Sequence, residues 1–219
     1  WTLAALARGG SHDVLVNTAW LGEQSPAHFG DRFAPASGGA QEGVAASAIA
    51  LSYSHEGTDF GGALETAGGI VRALPHLADV FWVAAGDVFA PGFEFGRQAV
   101  ERFAESGRLA HLWLVPNPAH NLRGDFGIAP DGSALSRPAD GNRTYTFSTI
   151  GLYRAEFFRA PRCGIPAGNA AGVKAALAPM LRLAMDEGLV SAELYQGAWT
   201  DVGTPQRLVP VHGSPEPAA

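Results

Sequence analysis

Two aspartates stand in segments where a carboxylate could bind a metal ion. Asp87 follows the apolar run 80–83 and stands beside Gly86, whose missing side chain lets a phosphate or another backbone come close. Asp201 lies within Trp-Thr-Asp-Val-Gly-Thr at 199–204. Open α/β folds bind ligands at the carboxyl ends of strands, and Mg²⁺ takes one or two carboxylates together with phosphate oxygens and water. A capping or turn role explains either aspartate equally well when it is taken alone.

A third candidate is the segment 64–70, Leu-Glu-Thr-Ala-Gly-Gly-Ile, which leads into a helical pattern. Small residues at a helix N-terminus expose backbone N–H groups, so the segment could bind an anion or the edge of a nucleobase. A plain capping turn with Thr66 as the N-cap explains the same residues. Among the 7 histidines, His120 is kept as a candidate because it follows the strand-like run 111–115 into a polar loop. The single cysteine, Cys163, excludes a disulfide within the chain and a cluster of thiol ligands.

The elements that must position these residues are predicted from apolar patterning. Continuous or mixed apolar runs predict strands at 14–16, 80–83, 111–115 and 145–153. Such runs are typical of strands covered on both faces, as in a mainly parallel sheet. Helices are predicted at 97–106, with Gly107 as a stop signal, and at 174–187, which Gly188 ends. Strands that alternate with helices predict a layered α/β fold.

The remaining segments are predicted to be peripheral. Residues 34–50 are rich in small side chains and predict a surface excursion, and the tail after Pro210 has nothing apolar to dock. Thr204 and Pro205 are typical of the N-cap and first turn of a terminal helix. Residues 1–10 form an amphipathic helical pattern with no capping residue before it, so we expect further residues upstream.

Composition limits the classes of function. A chain of 219 residues fits one α/β domain, and 47% hydrophobic with 16% charged residues is an ordinary globular balance. The net charge of −6 argues against nucleic acid as a partner, because phosphate backbones bind basic surfaces. No apolar run reaches the ~20 residues that a membrane span needs. We therefore expect a cytoplasmic monomer or homodimer that binds neither nucleic acid nor membrane.

In their order along the chain, these segments resemble the bacterial sugar-1-phosphate nucleotidyltransferases. The matching segments are 14–22, 64–70, 86–88, 117–118, 123–126, 146–148 and 199–204. The resemblance extends from Trp1 to about Leu208 and is strongest to the uridylyltransferases that use UTP and N-acetylmuramate 1-phosphate in peptidoglycan recycling. It implies a three-layer, Rossmann-like α/β fold with a mixed, mainly parallel central sheet, as one domain over 1–209 with a flexible tail over 210–219. The implied reaction transfers a nucleotidyl group from a nucleoside triphosphate to a sugar 1-phosphate and releases pyrophosphate.

The resemblance also implies a role for each segment. It places the catalytic metal ligands, which hold Mg²⁺, on Asp87 and Asp201. It places the nucleotide contacts on Glu65, Thr66, Gly68 and Gly86. It places the sugar-phosphate contacts on Asn117, Gly124, Ser148 and Thr149. Related enzymes usually have glycine where this chain has Thr149, which predicts a narrower sugar pocket. The family's glycine-rich loop, with the Arg and Lys that bind the phosphates, would precede Trp1.

Two alternatives stay open at this point, and a third is disfavoured. Choice of base depends on a few hydrogen bonds near Glu65, so a mannose-1-phosphate guanylyltransferase, or a thymidylyl or cytidylyl relative, is a rival within the enzyme class. A non-catalytic module that binds a nucleotide sugar is the rival from another class. A dehydrogenase with a Rossmann domain is disfavoured, because no Gly-x-Gly-x-x-Gly follows any predicted strand.

Overall fold

Helices and strands alternate along the chain in the computed structural model, which describes residues 1–35, 48–137, 143–204 and 206–207. The helices are α1 Thr2–Arg8, α2 Gln24–Phe29, α3 Glu56–Phe60, α4 Glu65–Ala73, α5 Arg97–Glu105 and α6 Leu177–Asp186, with short 3-10 turns at Leu74–His76 and Ala155–Phe158. The strands are β1 Asp13–Thr18, β2 Arg32–Phe33, β3 Ile49–His55, β4 Val80–Ala84, β5 Val88–Phe89, β6 Ala110–Val115, β7 Gly127–Ile128, β8 Ala134–Leu135, β9 Thr146–Arg154, β10 Val190–Leu194 and β11 Thr200–Asp201. Within these ranges no helix is long and apolar enough to cross a bilayer.

The longer strands form two sheets. One has four strands in the order β10-β6-β9-β4, and the other has three in the order β1-β3-β2. In the first, β10 is parallel to β6, and β9 is antiparallel to both β6 and β4, so three strands share one direction. In the second, β1 is parallel to β3 and the short β2 is antiparallel to it. The predicted mixed sheet, in which most strands share one direction, is confirmed. Its strands are divided between a four-stranded and a three-stranded sheet.

Helices cover both faces of the four-stranded sheet. Leu112 and Leu114 of β6 lie in one buried cluster with side chains of α4 and α6. Trp113, between them, points to the opposite face, where α1 and α5 contribute to a second cluster. Successive side chains of a strand alternate between faces, so burial on both faces requires the continuous apolar runs seen in the sequence. The predicted three layers are therefore present.

The four predicted strands correspond to β1, β4, β6 and β9, and the helix predicted at 97–106 is α5. Gly107 and Gly188 follow their helices with φ of +68° and +72°, a conformation that glycine adopts without strain. The helix predicted at 174–187 begins later, at Leu177, because the Ala175 N–H donates to the Leu64 carbonyl at 3.0 Å and holds that stretch outside the helix.

Three further expectations can be compared with the structure. The surface excursion predicted for 34–50 ends earlier, because Ile49 is fully buried in β3, while 36–47 lie outside the described residues. The Arg207 N–H lies 3.4 Å from Thr204 Oγ1, which is the bond of an N-cap. Thr66 is not an N-cap, because α4 already begins at Glu65. The tail 210–219 also lies outside the described residues.

The core contains a phenol whose replacement should stabilise the protein. Tyr153 is 0% exposed, and no described residue accepts from or donates to its hydroxyl. Burial raises the pKa of this phenol, so the hydroxyl stays protonated. An unpaired buried polar group costs about 1–3 kcal/mol. We expect Tyr153→Phe to raise the free energy of unfolding by about 1 kcal/mol in urea denaturation.

The matched control is Tyr53→Phe, because the Tyr53 hydroxyl donates to the Gly30 carbonyl at 2.7 Å. That substitution should lower the free energy of unfolding by about 0.5–1 kcal/mol. A loss of stability in Tyr153→Phe as large as in Tyr53→Phe would contradict the account of the core.

Candidate active site

A two-stranded ribbon brings Asp87 and Asp201 together. In the antiparallel pairing of β5 with β11, Asp201 stands opposite Val88 and Thr200 opposite Phe89. The Val202 N–H extends the pairing by donating to the Asp87 carbonyl at 2.7 Å. Asp87, just before β5, and Asp201, in β11, therefore lie diagonally across the ribbon from each other, just beyond the carboxyl end of β4.

The two carboxylates share the space left by one glycine. A Cβ added at Gly203 would lie 2.9 Å from Asp87 Oδ2 and 3.0 Å from Asp201 Oδ1. The Gly203 N–H donates to Asp201 Oδ1 at 2.8 Å, and Arg207 Nη1 donates to Asp201 Oδ2 at 2.9 Å. Asp87 is exposed, and among the described residues no group donates to its carboxylate. The structure thus holds Asp201 in a fixed orientation and leaves Asp87 open.

A cavity of about 230 Å³ opens beside this pair. Its lining residues are Asp87, Val88, His120, Asn121, Thr146, Phe147, Thr149, Trp199 and Asp201. His120 Nε2 lies 3.7 Å from Asp201 Oδ2, and the imidazole is partly exposed. Sites for drug-sized ligands span about 300–1,000 Å³, so this cavity suits one part of a larger ligand. Its carboxylate, imidazole and indole groups provide both polar and stacking contacts.

An irregularity in β9 turns Thr149 toward the cavity. The register of β6 against β9 shifts between Leu112 and Leu114. Ser148 is fully buried there, donating to the Trp113 carbonyl at 2.6 Å and accepting from the Ile150 N–H at 3.1 Å. Thr149 has φ of +64°, which is rare for a β-branched residue. Ser148 therefore fixes the irregularity from inside the core, while Thr149 lines the cavity.

Asn117 and Gly124 shape the loop after β6 without lining the cavity. Asn117 Nδ2 donates to the Thr144 carbonyl at 3.1 Å, and its Oδ1 accepts from Thr146 Oγ1 at 3.0 Å. A Cβ at Gly124 would lie 2.8 Å from Asn117 Oδ1. These contacts hold the loop against β9, and the same loop carries His120 to the cavity. Asn121 also lines the cavity and was missed, although the polar run after β6 is a signal for it.

The segment at the start of α4 is held by residues 173–175. The N–H groups of Ala67 and Gly68 both donate to the Ala175 carbonyl, at 3.0 and 3.1 Å. Gly68 is buried, so its backbone N–H is already used within the protein. Glu65 and Thr66 are exposed, and Glu65 has φ of +59°. These two residues are therefore the part of the segment that a ligand can reach.

Two further features are Gly86 and a second cavity. Gly86 is exposed, and a Cβ added there would meet no described residue within 4 Å, so no contact in the described part of the chain requires a glycine at this position. A second cavity of about 320 Å³ lies beyond the carboxyl ends of β1 and β3. This cavity was not predicted from the sequence. It is lined by Thr18, Ala19, Leu21, Gly22, Glu23, Gln24, Gly57 and Thr58.

The fold is shared with a protein of known structure. A crystal structure of a Bacillus anthracis protein, assigned as a glucose-1-phosphate thymidylyltransferase in complex with sucrose, matches 95% of this chain and 78% of that chain with a TM-score of 0.67. At 17% sequence identity this likeness concerns the fold alone. No protein-family model matches the chain.

The sequence places the chain more narrowly. It is 40% identical over 215 residues to the N-acetylmuramate alpha-1-phosphate uridylyltransferase of Neisseria meningitidis serogroup B, covering 95% of this chain and 80% of that protein. The chain belongs to the family of N-acetylmuramate alpha-1-phosphate uridylyltransferases. The resemblance stated from the sequence motifs is confirmed.

The backbone of Thr149 yields a stability test. Left-handed backbone costs a β-branched residue roughly 1–2 kcal/mol, whereas glycine adopts it freely. Alanine retains most of that cost, so we expect Thr149→Gly to be more stable than Thr149→Ala by about 1 kcal/mol. Thermal and urea unfolding of the two variants would measure the difference.

Thr146, in the same strand, is the matched control because its φ lies in the ordinary range. There Thr146→Ala should be the more stable of the two variants, since glycine weakens an ordinary strand position by about 0.5–1 kcal/mol. The same order at both positions would show that Thr149 is not strained.

Proposed function

We propose that this protein transfers a uridylyl group from UTP to N-acetylmuramate 1-phosphate and releases pyrophosphate. The observation that carries the proposal is the pair of carboxylates on Asp87 and Asp201, held side by side next to a cavity. The choice of substrates follows the name of the Neisseria relative, which is 40% identical to this chain over nearly its whole length.

We also propose that Asp87 and Asp201 hold Mg²⁺. Their donor set fits this ion, because Mg²⁺ binds through one or two carboxylates and keeps its other positions for phosphate oxygens and water. In the part of the chain that the structure describes, no three His, Cys, Asp or Glu side chains converge on one point, as a protein-enclosed metal site would require. When bound, the ion would neutralise negative charge on the reacting phosphates.

The residues around the pair suit a reaction that needs positioning and charge. An oxygen of the sugar phosphate would attack the α-phosphorus of UTP while the bond from that phosphorus to the bridging oxygen of pyrophosphate breaks. Such a transfer needs no covalent nucleophile from the protein. This fits the placement of Cys163, which is buried in the core, and of Ser148, whose hydroxyl is bonded to the Trp113 carbonyl.

The two substrates are proposed to lie on either side of the carboxylates. We place the nucleotide toward Glu65, Thr66 and Gly86, all of which are exposed. Gly68 would act through packing, because its N–H is engaged by Ala175. We place the sugar phosphate in the 230 Å³ cavity that Thr149 lines. Asn117, Gly124 and Ser148 would support that side by fixing the surrounding backbone.

The carboxylates provide the first test of the function. Asp87→Asn and Asp201→Asn keep the size of the side chain and remove its charge. We expect each to lower kcat by two or more orders of magnitude, a barrier increase of roughly 3 kcal/mol or more, in a pyrophosphate-release assay with Mg²⁺. Both variants should stay folded, because neither carboxylate is part of the core clusters.

Asp13→Asn is the matched control, since Asp13 is an exposed residue at the start of β1. It should keep the wild-type rate. Near-full activity in either site variant would show that this aspartate has only a structural role in its turn and does not bind the metal ion.

A substrate panel provides the second test. UTP, GTP, dTTP and CTP would each be combined with the 1-phosphates of N-acetylmuramate, mannose, glucose and N-acetylglucosamine, with pyrophosphate as the readout. We expect the highest kcat/KM for UTP with N-acetylmuramate 1-phosphate. Turnover with GTP and mannose 1-phosphate alone would replace the proposed activity by a guanylyltransferase activity. Binding of a nucleotide sugar without turnover of any pair would indicate a non-catalytic module.

A further inference from the structure

A buried acid stands behind the exposed nucleotide segment. Glu56, the first residue of α3, is 4% exposed. Its Oε2 accepts from the Leu64 N–H at 2.8 Å, and its Oε1 has no hydrogen-bond partner among the described residues. Burying a carboxylate is costly unless hydrogen bonds compensate, and this one makes a single bond. That bond goes to the residue just before Glu65.

Close packing holds the Glu56 carboxylate in place. A Cβ added at Gly69 would lie 2.6 Å from Glu56 Oε1 and 2.6 Å from Asn17 Nδ2. The missing side chain of Gly69 is therefore what leaves room for the carboxylate. β1, α3 and α4 meet at this point through Asn17, Glu56 and Gly69, so the carboxylate has little freedom to move away from Leu64.

Leu64 is held at both of its backbone polar groups. Its N–H donates to Glu56, and its carbonyl accepts from the Ala175 N–H at 3.0 Å. The next residue, Glu65, has φ of +59°, a conformation that non-glycine residues keep only where the surroundings enforce it. The two bonds on Leu64 are the restraints that immediately precede this strained residue.

We propose that Glu56 is a positioning residue for nucleotide binding. By holding the Leu64 N–H, it keeps Glu65 in its left-handed conformation and presents Glu65 and Thr66 to the nucleotide. Glu56 does not touch the nucleotide itself. The inference rests on the proposed function, because it assigns the nucleotide to Glu65 and Thr66.

Three substitutions separate the hydrogen bond from the negative charge. Glu56→Gln keeps an acceptor oxygen at the same reach and loses the charge. Glu56→Asp keeps the charge and withdraws the oxygen from Leu64 by one methylene, and Glu56→Ala removes both. We expect KM for UTP to rise about tenfold or more in Glu56→Asp and Glu56→Ala, and by no more than about threefold in Glu56→Gln. The KM for the sugar phosphate should stay within about twofold.

Asp59→Ala is the matched control within the same helix. Asp59 pairs with Arg72 on α4, and its loss would loosen the link between α3 and α4 without touching Leu64. We expect its KM for UTP to stay within about twofold of the wild type.

The outcomes are distinct for each rival account. A near-normal Glu56→Asp with an impaired Glu56→Gln would show that the charge matters, which overturns the proposal. Equal effects on both KM values, or a lowered Tm with unchanged kinetics, would make Glu56 merely structural and overturn it as well. If Glu56→Ala does not fold, the order of the UTP KM values of Glu56→Gln and Glu56→Asp decides.

UTP affinity measured by calorimetry distinguishes failure of the Glu56 proposal from failure of the proposed function. UTP binding by the wild type without pyrophosphate release would contradict the proposed function alone, and the Kd order of the variants would still test Glu56.

Discussion

The site depends on holding two like charges against each other. Asp87 and Asp201 come from distant parts of the chain, and both carboxylates border the space above Gly203. Such a pair repels unless positive charge or N–H donors offset it. Arg207 and the Gly203 N–H do so for Asp201, whereas no described residue donates to Asp87. The uncompensated half of the pair is therefore suited to a divalent cation brought with a phosphate.

The ribbon that imposes this proximity is anchored in the core. Val88 of β5 is buried in the cluster on the α1 and α5 face of the sheet, and Trp199 packs against the same cluster. The Trp199 indole N–H donates to the Ser148 carbonyl at 3.2 Å, directly beside Thr149. The carboxylates and the irregularity in β9 are thus fixed by one continuous set of contacts. A substitution that shifts the backbone at one of them should therefore shift the backbone at the other.

The elements of this arrangement that could be predicted from the sequence are those long enough to show a pattern of apolar residues. β4, β6 and β9 were recognisable because burial on both faces demands continuous apolar runs. β5 and β11 have two residues each, too few for any pattern, so the proximity of Asp87 and Asp201 came only from the order of motifs shared with a family. Glu56 was missed because burial of an acid leaves no mark on local sequence. Thr149 was noticed as a departure from the family, but its positive φ follows from the register shift of β9 and could not be derived from composition.

The glycine pair at the start of α4 has a different role in the structure from the one predicted from the sequence. From the sequence, Gly68 and Gly69 indicated a backbone open to a ligand. In the fold, a Cβ at Gly68 would lie 2.6 Å from the Val173 carbonyl, and one at Gly69 would meet Glu56. Both glycines therefore let other protein groups approach α4. Glu56 and Ala175 hold Leu64, Ala67 and Gly68 by hydrogen bonds. The exposed dipeptide Glu65-Thr66 between them is the part that the proposed function assigns to the nucleotide, and its geometry is set by residues that lie behind it.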